Sequence, residues 1–78
     1  MNIRFSNAAR RGLKAMPAKD QAAMVAKLIR YTDNGEGDVV KLTDQPGYRL
    51  RHGNSRAVFE LIDGIYVIKV AHRREVYR

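Results

Sequence analysis

The stretch YRLRHGNSRAVFEL, Tyr48 to Leu61, decides how the chain reads. On both sides of a Gly-Asn pair its residues alternate with a period of two. That is the pattern of two half-buried strands joined by a tight turn. Tyr48, Leu50 and His52 fall on one side of the first strand, Arg49 and Arg51 on the other. In the second strand Ala57, Phe59 and Leu61 oppose Arg56, Val58 and Glu60. A second turn signal, Asp63-Gly64, leads into IYVIKVAHR. There the same alternation groups Tyr66, Ile68 and Val70 as apolar, with Val67, Lys69 and Arg73 opposite. This part of the chain therefore reads as a three-stranded meander.

Upstream, the period lengthens. NIRFS alternates like a short edge strand, and Ser6 is placed to cap a helix. Ala9, Leu13 and Met16 then share a helical face. Pro17 ends that helix and suits the first position of the next, roughly Ala18 to Thr32. In the second helix Ala18, Ala22, Val25 and Ile29 form one stripe, widened by Met24 and Leu28. DNGEGD, Asp33 to Asp38, is the stop, and VVKL after it is a further strand or a lead-in loop. The sequence thus predicts an α+β fold in one domain, residues 1–78. It has an N-terminal strand, an α-helical hairpin and a three- to four-stranded antiparallel sheet, with the helices on one face.

The formal charge is +7, from 15 Lys and Arg against 8 Asp and Glu. An excess of this size favours polyanions, nucleic acid first, or an acidic protein surface. There is no cysteine, hence no disulfide and no thiolate metal site. Two histidines and scattered carboxylates give no metal-ligand spacing, and no cofactor is implied. MNIRFSNAARR lacks the apolar run of a signal peptide, and no stretch reaches membrane-spanning length. The expectation is a cytoplasmic protein that does not enter a membrane.

If the helices cover the apolar side of the sheet, its other side collects Arg49, Arg51, Arg56, Lys69 and Arg73, with Glu60 the only acid. Two readings of that face stand side by side. A water-facing antiparallel sheet shows polar residues at alternate positions whatever its function. Solvated faces, however, usually mix signs, because like charges across a ladder destabilise. Four arginines to one lysine also suit bidentate phosphate binding. The terminal HRREVYR adds His72, Arg74 and Tyr77. His72 has the parity of the core residues, so a structural and a catalytic role are both open. Tyr77 packs a sheet edge, stacks on a base or moves a proton.

The order of elements and the signature YRLR, SRAVFEL and IYVIKVAHRREVY resemble the RelE/ParE superfamily of bacterial toxins from type II toxin–antitoxin systems. The likeness extends over nearly the whole chain, with the C-terminal half the more specific part. It implies an endoribonuclease (mRNA interferase) that cuts messenger RNA, commonly on the ribosome, inhibits translation and is neutralised by an antitoxin. It implies site roles for Arg49, Arg51, Arg56, Arg73 and Tyr77, with His72 matching a histidine used in other branches. RelE itself has lysines where this chain has Arg49 and Arg51. ParE-type relatives share the fold and poison DNA gyrase, so gyrase is the alternative target, and an inactive RNA- or protein-binding module is a third reading. The partner implied is an antitoxin with an acidic, partly disordered segment.

Metal-free RNA cleavage needs a base for the 2′-hydroxyl, an acid for the leaving 5′-oxygen, and positive charge for the crowded phosphorane. Arginines suit the third task and, being always protonated, not the first two. The nearby proton carriers are His72, Tyr77, Glu60 and Lys69.

Overall fold

The computed structural model describes residues 2–76. In chain order it contains β1 (Ile3–Phe5), α1 (Asn7–Lys14), α2 (Ala18–Asn34), β2 (Val39–Lys41), β3 (Tyr48–His52), β4 (Ser55–Glu60) and β5 (Ile65–His72). These elements give the α+β architecture that the sequence predicts. The sheet has five strands in the order β1-β5-β4-β3-β2. Three of its four ladders are antiparallel, and β1 pairs parallel with β5. The sheet is therefore mixed and larger than the expected three- to four-stranded antiparallel one. The alternation in NIRFS identifies a strand but carries no information about its partner, which lies at the far end of the chain.

The hairpin of β3 and β4 has the register that the opening stretch implies, with Leu50 opposite Ala57, Arg51 opposite Arg56 and His52 opposite Ser55. Between β4 and β5 the register slips. Val58 faces Lys69, but Phe59 faces Val67, which leaves Ile68 as an extra residue in β5. This bulge corrects the expected faces of the last strand. Ile65, Val67 and Val70 are buried in the core, whereas Tyr66 lies level with Glu60 and Arg4 on the other face. A strict period of two cannot anticipate an inserted residue, and one residue of slip exchanges the faces of all that precede it.

Ser6 holds the bulge to the first helix. Its hydroxyl accepts the Ala9 N–H at 3.0 Å, the cap that the sequence predicts. The same hydroxyl donates to the Ile68 carbonyl at 2.5 Å, and the Ser6 N–H donates to the Val67 carbonyl. α1 then lies directly on β5. A Cβ added at Gly12 would stand 1.8 Å from the Val70 carbonyl oxygen, so only glycine permits this approach.

α2 lies nearer β3, and here the predicted face is corrected. Met24 and Leu28 are fully buried, and Tyr31 packs its ring edge-on against Phe59 with centroids 5.5 Å apart. Ala18 and Ala22 are exposed, and Ile29 is 45% exposed. Both stripes fit the helical period. The bulkier one fills the space over Phe59, and the stripe of small residues is left outside. α2 runs two residues beyond the expected Thr32 and ends at Gly35, whose φ of 71° supplies the left-handed cap. Among the described residues no helix is long and apolar enough to cross a membrane.

Candidate functional site

The helices cover one face of the sheet. The other is traversed by two cross-strand rows. One runs Val40, Arg49, Val58, Lys69 from β2 to β5, and the next runs Arg51, Arg56, Ala71 from β3 to β5. Arg49, Arg51, Arg56 and Lys69 therefore share the uncovered face, as the alternation of β3 and β4 requires. Their positions follow from the backbone, because each strand buries its apolar alternates (Leu50, Ala57, Phe59, Val70) under the helices.

Several contacts shape this face. Arg51 Nε is 2.5 Å from Asp38 Oδ2, with the side chains 58% and 48% exposed. Asp38 is thus a second acid on a face for which Glu60 was the only one expected. It comes level with Arg51 because β2 and β3 continue their register past Val39 and Leu50, and the Arg51 N–H donates to the Asp38 carbonyl. That pairing is invisible until the register is known. Arg56 Nη1 donates to the carbonyls of Gly53 and Ser55 at 2.8 and 2.9 Å, which folds its guanidinium onto the β3–β4 turn. Arg4, also on this side, donates to the Ile62 carbonyl and lies over the Tyr66 ring at 5.3 Å.

The face is not fully open. Val58, at its centre, is only 6% exposed, and so is Val76. Both line a cavity of about 210 Å³ together with Gln45, Pro46, Ile68 and Lys69. The loop before β3 and the turn after β5 thus arch over the middle of the sheet. Lys69 Nζ donates to the Glu75 carbonyl at 3.1 Å, tying that turn down. The sequence reasoning did not foresee this cover, because Val58 sits among the polar alternates and no nearby pattern marks its partner.

Arg73 lies in the exposed turn after β5, and its N–H donates to the Asn54 carbonyl at 2.7 Å. The end of β5 is thereby fixed beside the turn that precedes Arg56. His72 is placed differently. It is level with Ser55 and has the parity of the helix-covered side. It lines a cleft of about 300 Å³ with Met16, Pro17, Ser55 and Glu75, below the end of α1. His72 is exposed, and its Nδ1 accepts the Arg74 N–H at 3.1 Å, so in the neutral ring the proton sits on Nε2. The structure brings Arg49, Arg51 and Arg56 together and does not place His72 with them. Tyr77 lies outside the described residues. Among the described residues no group of three His, Asp or Glu side chains stands close enough to hold a metal ion.

No family model matches the chain, and no curated protein matches it by sequence. Solved structures do match its fold. The RelB–RelE antitoxin–toxin complex from Methanococcus jannaschii contains a chain with a TM-score of 0.79 and 24% identity, covering 95% of this chain and 94% of that one. The toxin–antitoxin complex RelBE2 from Mycobacterium tuberculosis gives 0.76 and 24%, over 92% and 96% of the two chains. The isolated RelE toxin of E. coli gives 0.72 and 23%, over 96% and 88%. The expected architecture and these matches agree over nearly the full length of the chain, and its fold is that of the RelE toxins.

Proposed function

We propose that this chain is the toxin of a type II toxin–antitoxin pair and an endoribonuclease that cuts messenger RNA in the cytoplasm, on the ribosome, without a metal ion. The observation that carries the reading is the placement of Arg49, Arg51 and Arg56 on the uncovered face of a RelE-type sheet, with Arg73 following its longest strand. In the reaction the 2′-hydroxyl attacks the adjacent phosphorus, the bond to the 5′-oxygen breaks, and a 2′,3′-cyclic phosphate and a 5′-hydroxyl result. Arg56 and Arg73 stabilise the charge of the phosphorane, and Arg49 and Arg51 hold flanking phosphates. His72 faces the helix-covered side, away from the arginines, so two of the other proton carriers serve: one of Tyr77, Glu60 and Lys69 takes the 2′-hydroxyl proton and another gives one to the leaving 5′-oxygen. If Tyr77 is neither of these, it stacks on a base.

The test is induced expression in a susceptible bacterium followed by mapping of messenger RNA 5′ ends. New ends within coding sequence, absent for Arg56→Ala, are the expected result. Intact messenger RNA accompanied by DNA breaks would replace this reading with gyrase poisoning.

The partner in this reading is an antitoxin. The matched complexes pair RelE with RelB. On this chain the exposed Ala18, Ala22 and Ile29 and the half-buried Val25 border a groove of about 530 Å³ that also includes Leu13. Lys19, Lys27 and Arg30 are exposed on the same helix. An acidic amphipathic antitoxin segment fits that combination. Ile29→Glu is expected to weaken antitoxin binding in a titration while leaving cleavage intact, and unchanged binding would move the antitoxin to another surface.

A further inference from the structure

The geometry points to a nucleobase subsite in the groove between the β2–β3 loop and the outer face of β3. This inference rests on the reading of the chain as a protein that acts on single-stranded RNA. The groove has a volume of about 430 Å³ and is lined by Val40, Lys41, Leu42, Thr43, Asp44, Gln45 and Arg49. That size lies within the range of ligand sites and exceeds what one planar base needs.

The groove joins an apolar platform and polar groups that a base edge can use to two cations, Lys41 and Arg49, that a flanking phosphate can use. Val40 is 43% exposed and stands directly across the ladder from Arg49. An exposed β-branched residue on a water-facing edge strand adds nothing to the core. Beside a guanidinium it makes a platform for a ring face, with the arginine supplying a stacking plane or a phosphate contact. Thr43, Asp44 and Gln45 line the same groove with a hydroxyl, a carboxylate and an amide. That set offers both donors and acceptors to a base edge. A carboxylate repels phosphate but accepts from an exocyclic amino group, so the groove favours adenine, cytosine or guanine over uracil.

The groove is also preformed. Leu42 N–H donates to the Gly47 carbonyl at 3.0 Å and closes the loop at its base. Gly47 has a φ of 112°, and a Cβ there would stand 2.7 Å from the Phe59 carbonyl oxygen, so the loop is seated against the sheet. Gln45 lines both this groove and the smaller cavity that contains Lys69. A chain leaving the groove across Gln45 thus passes onto the cationic rows of the sheet, where its phosphates meet Arg49 and Lys69. A ring-sized platform followed by cations fits the order of base and phosphate along RNA, and RNA is the occupant this geometry favours.

The experiment measures fluorescence anisotropy with uncleavable 2′-O-methyl hexamers of adenosine, cytidine and uridine. The full chain is compared with Val40→Asp, Gln45→Ala and Asp44→Asn, each shown folded by circular dichroism. Wild type is expected to bind the adenosine and cytidine hexamers more tightly than the uridine one. Val40→Asp is expected to lose about tenfold in affinity, the scale of one lost stacking contact, and Asp44→Asn to flatten the base preference. If all three variants bind every hexamer as wild type does, the groove is not a base subsite, while the RNA-binding reading stands. A ranking of the hexamers that Asp44→Asn leaves unchanged overturns it as well, because the affinity then reports contacts that do not read the base. If Val40→Asp releases the antitoxin and leaves RNA binding untouched, the groove belongs to a protein. Wild type that binds none of the hexamers removes the subsite, whereas the nuclease reading, which places the RNA on the ribosome, stands or falls with the mapping of messenger RNA 5′ ends.

Discussion

On the helix-covered side of the sheet Leu50, Ala57, Phe59, Val67 and Val70 are buried to 2% exposure or less, and no polar or charged residue is buried among the described ones. On the other side the same strands carry Arg49, Arg51, Arg56 and Lys69, with arginine directly opposite arginine at Arg51 and Arg56. Burial makes the first face stabilising at every position. The second is built against stability, since like charges across a ladder repel. Its few local supports, Asp38 beside Arg51 and the turn carbonyls that receive Arg56, hold the guanidiniums in place without neutralising the face. The difference teaches where substitutions should be felt. Changes on the covered face act on folding, and changes to the cations of the other face, unlike the buried Val58 among them, act on what that face binds.

Replacement of Phe59 tests the first half of that division and carries the largest expected effect. Its ring is fully buried, meets Tyr31 edge-on and stacks on Tyr48 at 5.7 Å. Phe59→Ala should cost about 3–5 kcal/mol in urea unfolding, the range for removing a core aromatic. An unfolding midpoint equal to that of wild type would break the comparison at its strongest point.

Arg56 and Arg73 test the second half. Arg56→Ala or Arg73→Ala should lower RNA cleavage by roughly 10²-fold, as expected for loss of one preorganised donor. Stability should move by no more than about 0.5 kcal/mol, as for ordinary surface changes. A variant that is folded and still cuts at the wild-type rate has no part in the reaction. A variant that unfolds would show that the cationic face also serves the fold.

Ser6 joins the two regimes, since one hydroxyl caps α1 and satisfies the carbonyl at the bulge. Ser6→Ala should cost about 1–2 kcal/mol, the upper range for a lost cap with a second hydrogen bond gone. Cleavage at matched folded fraction should be unchanged. A loss of cleavage without loss of stability would mean that the bulge positions Lys69 and the residues after it for the chemistry.

These residues also show what a sequence can and cannot disclose. The hairpin of β3 and β4 was readable because its turn is local and its alternation unbroken, so the faces of Arg49, Arg51 and Arg56 followed. Ser6 was readable because a cap acts within three residues. The faces of β5 ahead of Lys69 were not, because Ile68 is inserted opposite a strand whose register is set by tertiary packing. The buried stripe of α2 was readable only in part: the sequence places Met24 and Leu28 at the margin of the face of Ala18, Ala22, Val25 and Ile29, an equally periodic set, and does not place Tyr31 on it. The space over Phe59 decided between them. Val76 over Val58 and Asp38 beside Arg51 depend on long-range pairing that no local pattern records.

The smallest expected effect falls on Asp38, and its sign is informative. Both partners of the Arg51–Asp38 pair are about half exposed. Water and salt screen such a pair, so Asp38→Asn should lower stability by less than about 1 kcal/mol. The same change takes a negative charge from a face that binds phosphate in this reading. Affinity for an uncleavable RNA should therefore rise at low salt, and the gain should shrink as ionic strength increases. If affinity falls instead, Asp38 is holding Arg51 at the angle its phosphate contact requires. Binding measured from low to high salt separates the two, because a lost orientation persists in salt whereas a relieved repulsion does not. With the first result, charge alone tunes the cationic face; with the second, that face depends on fixed side-chain geometry as the covered face does.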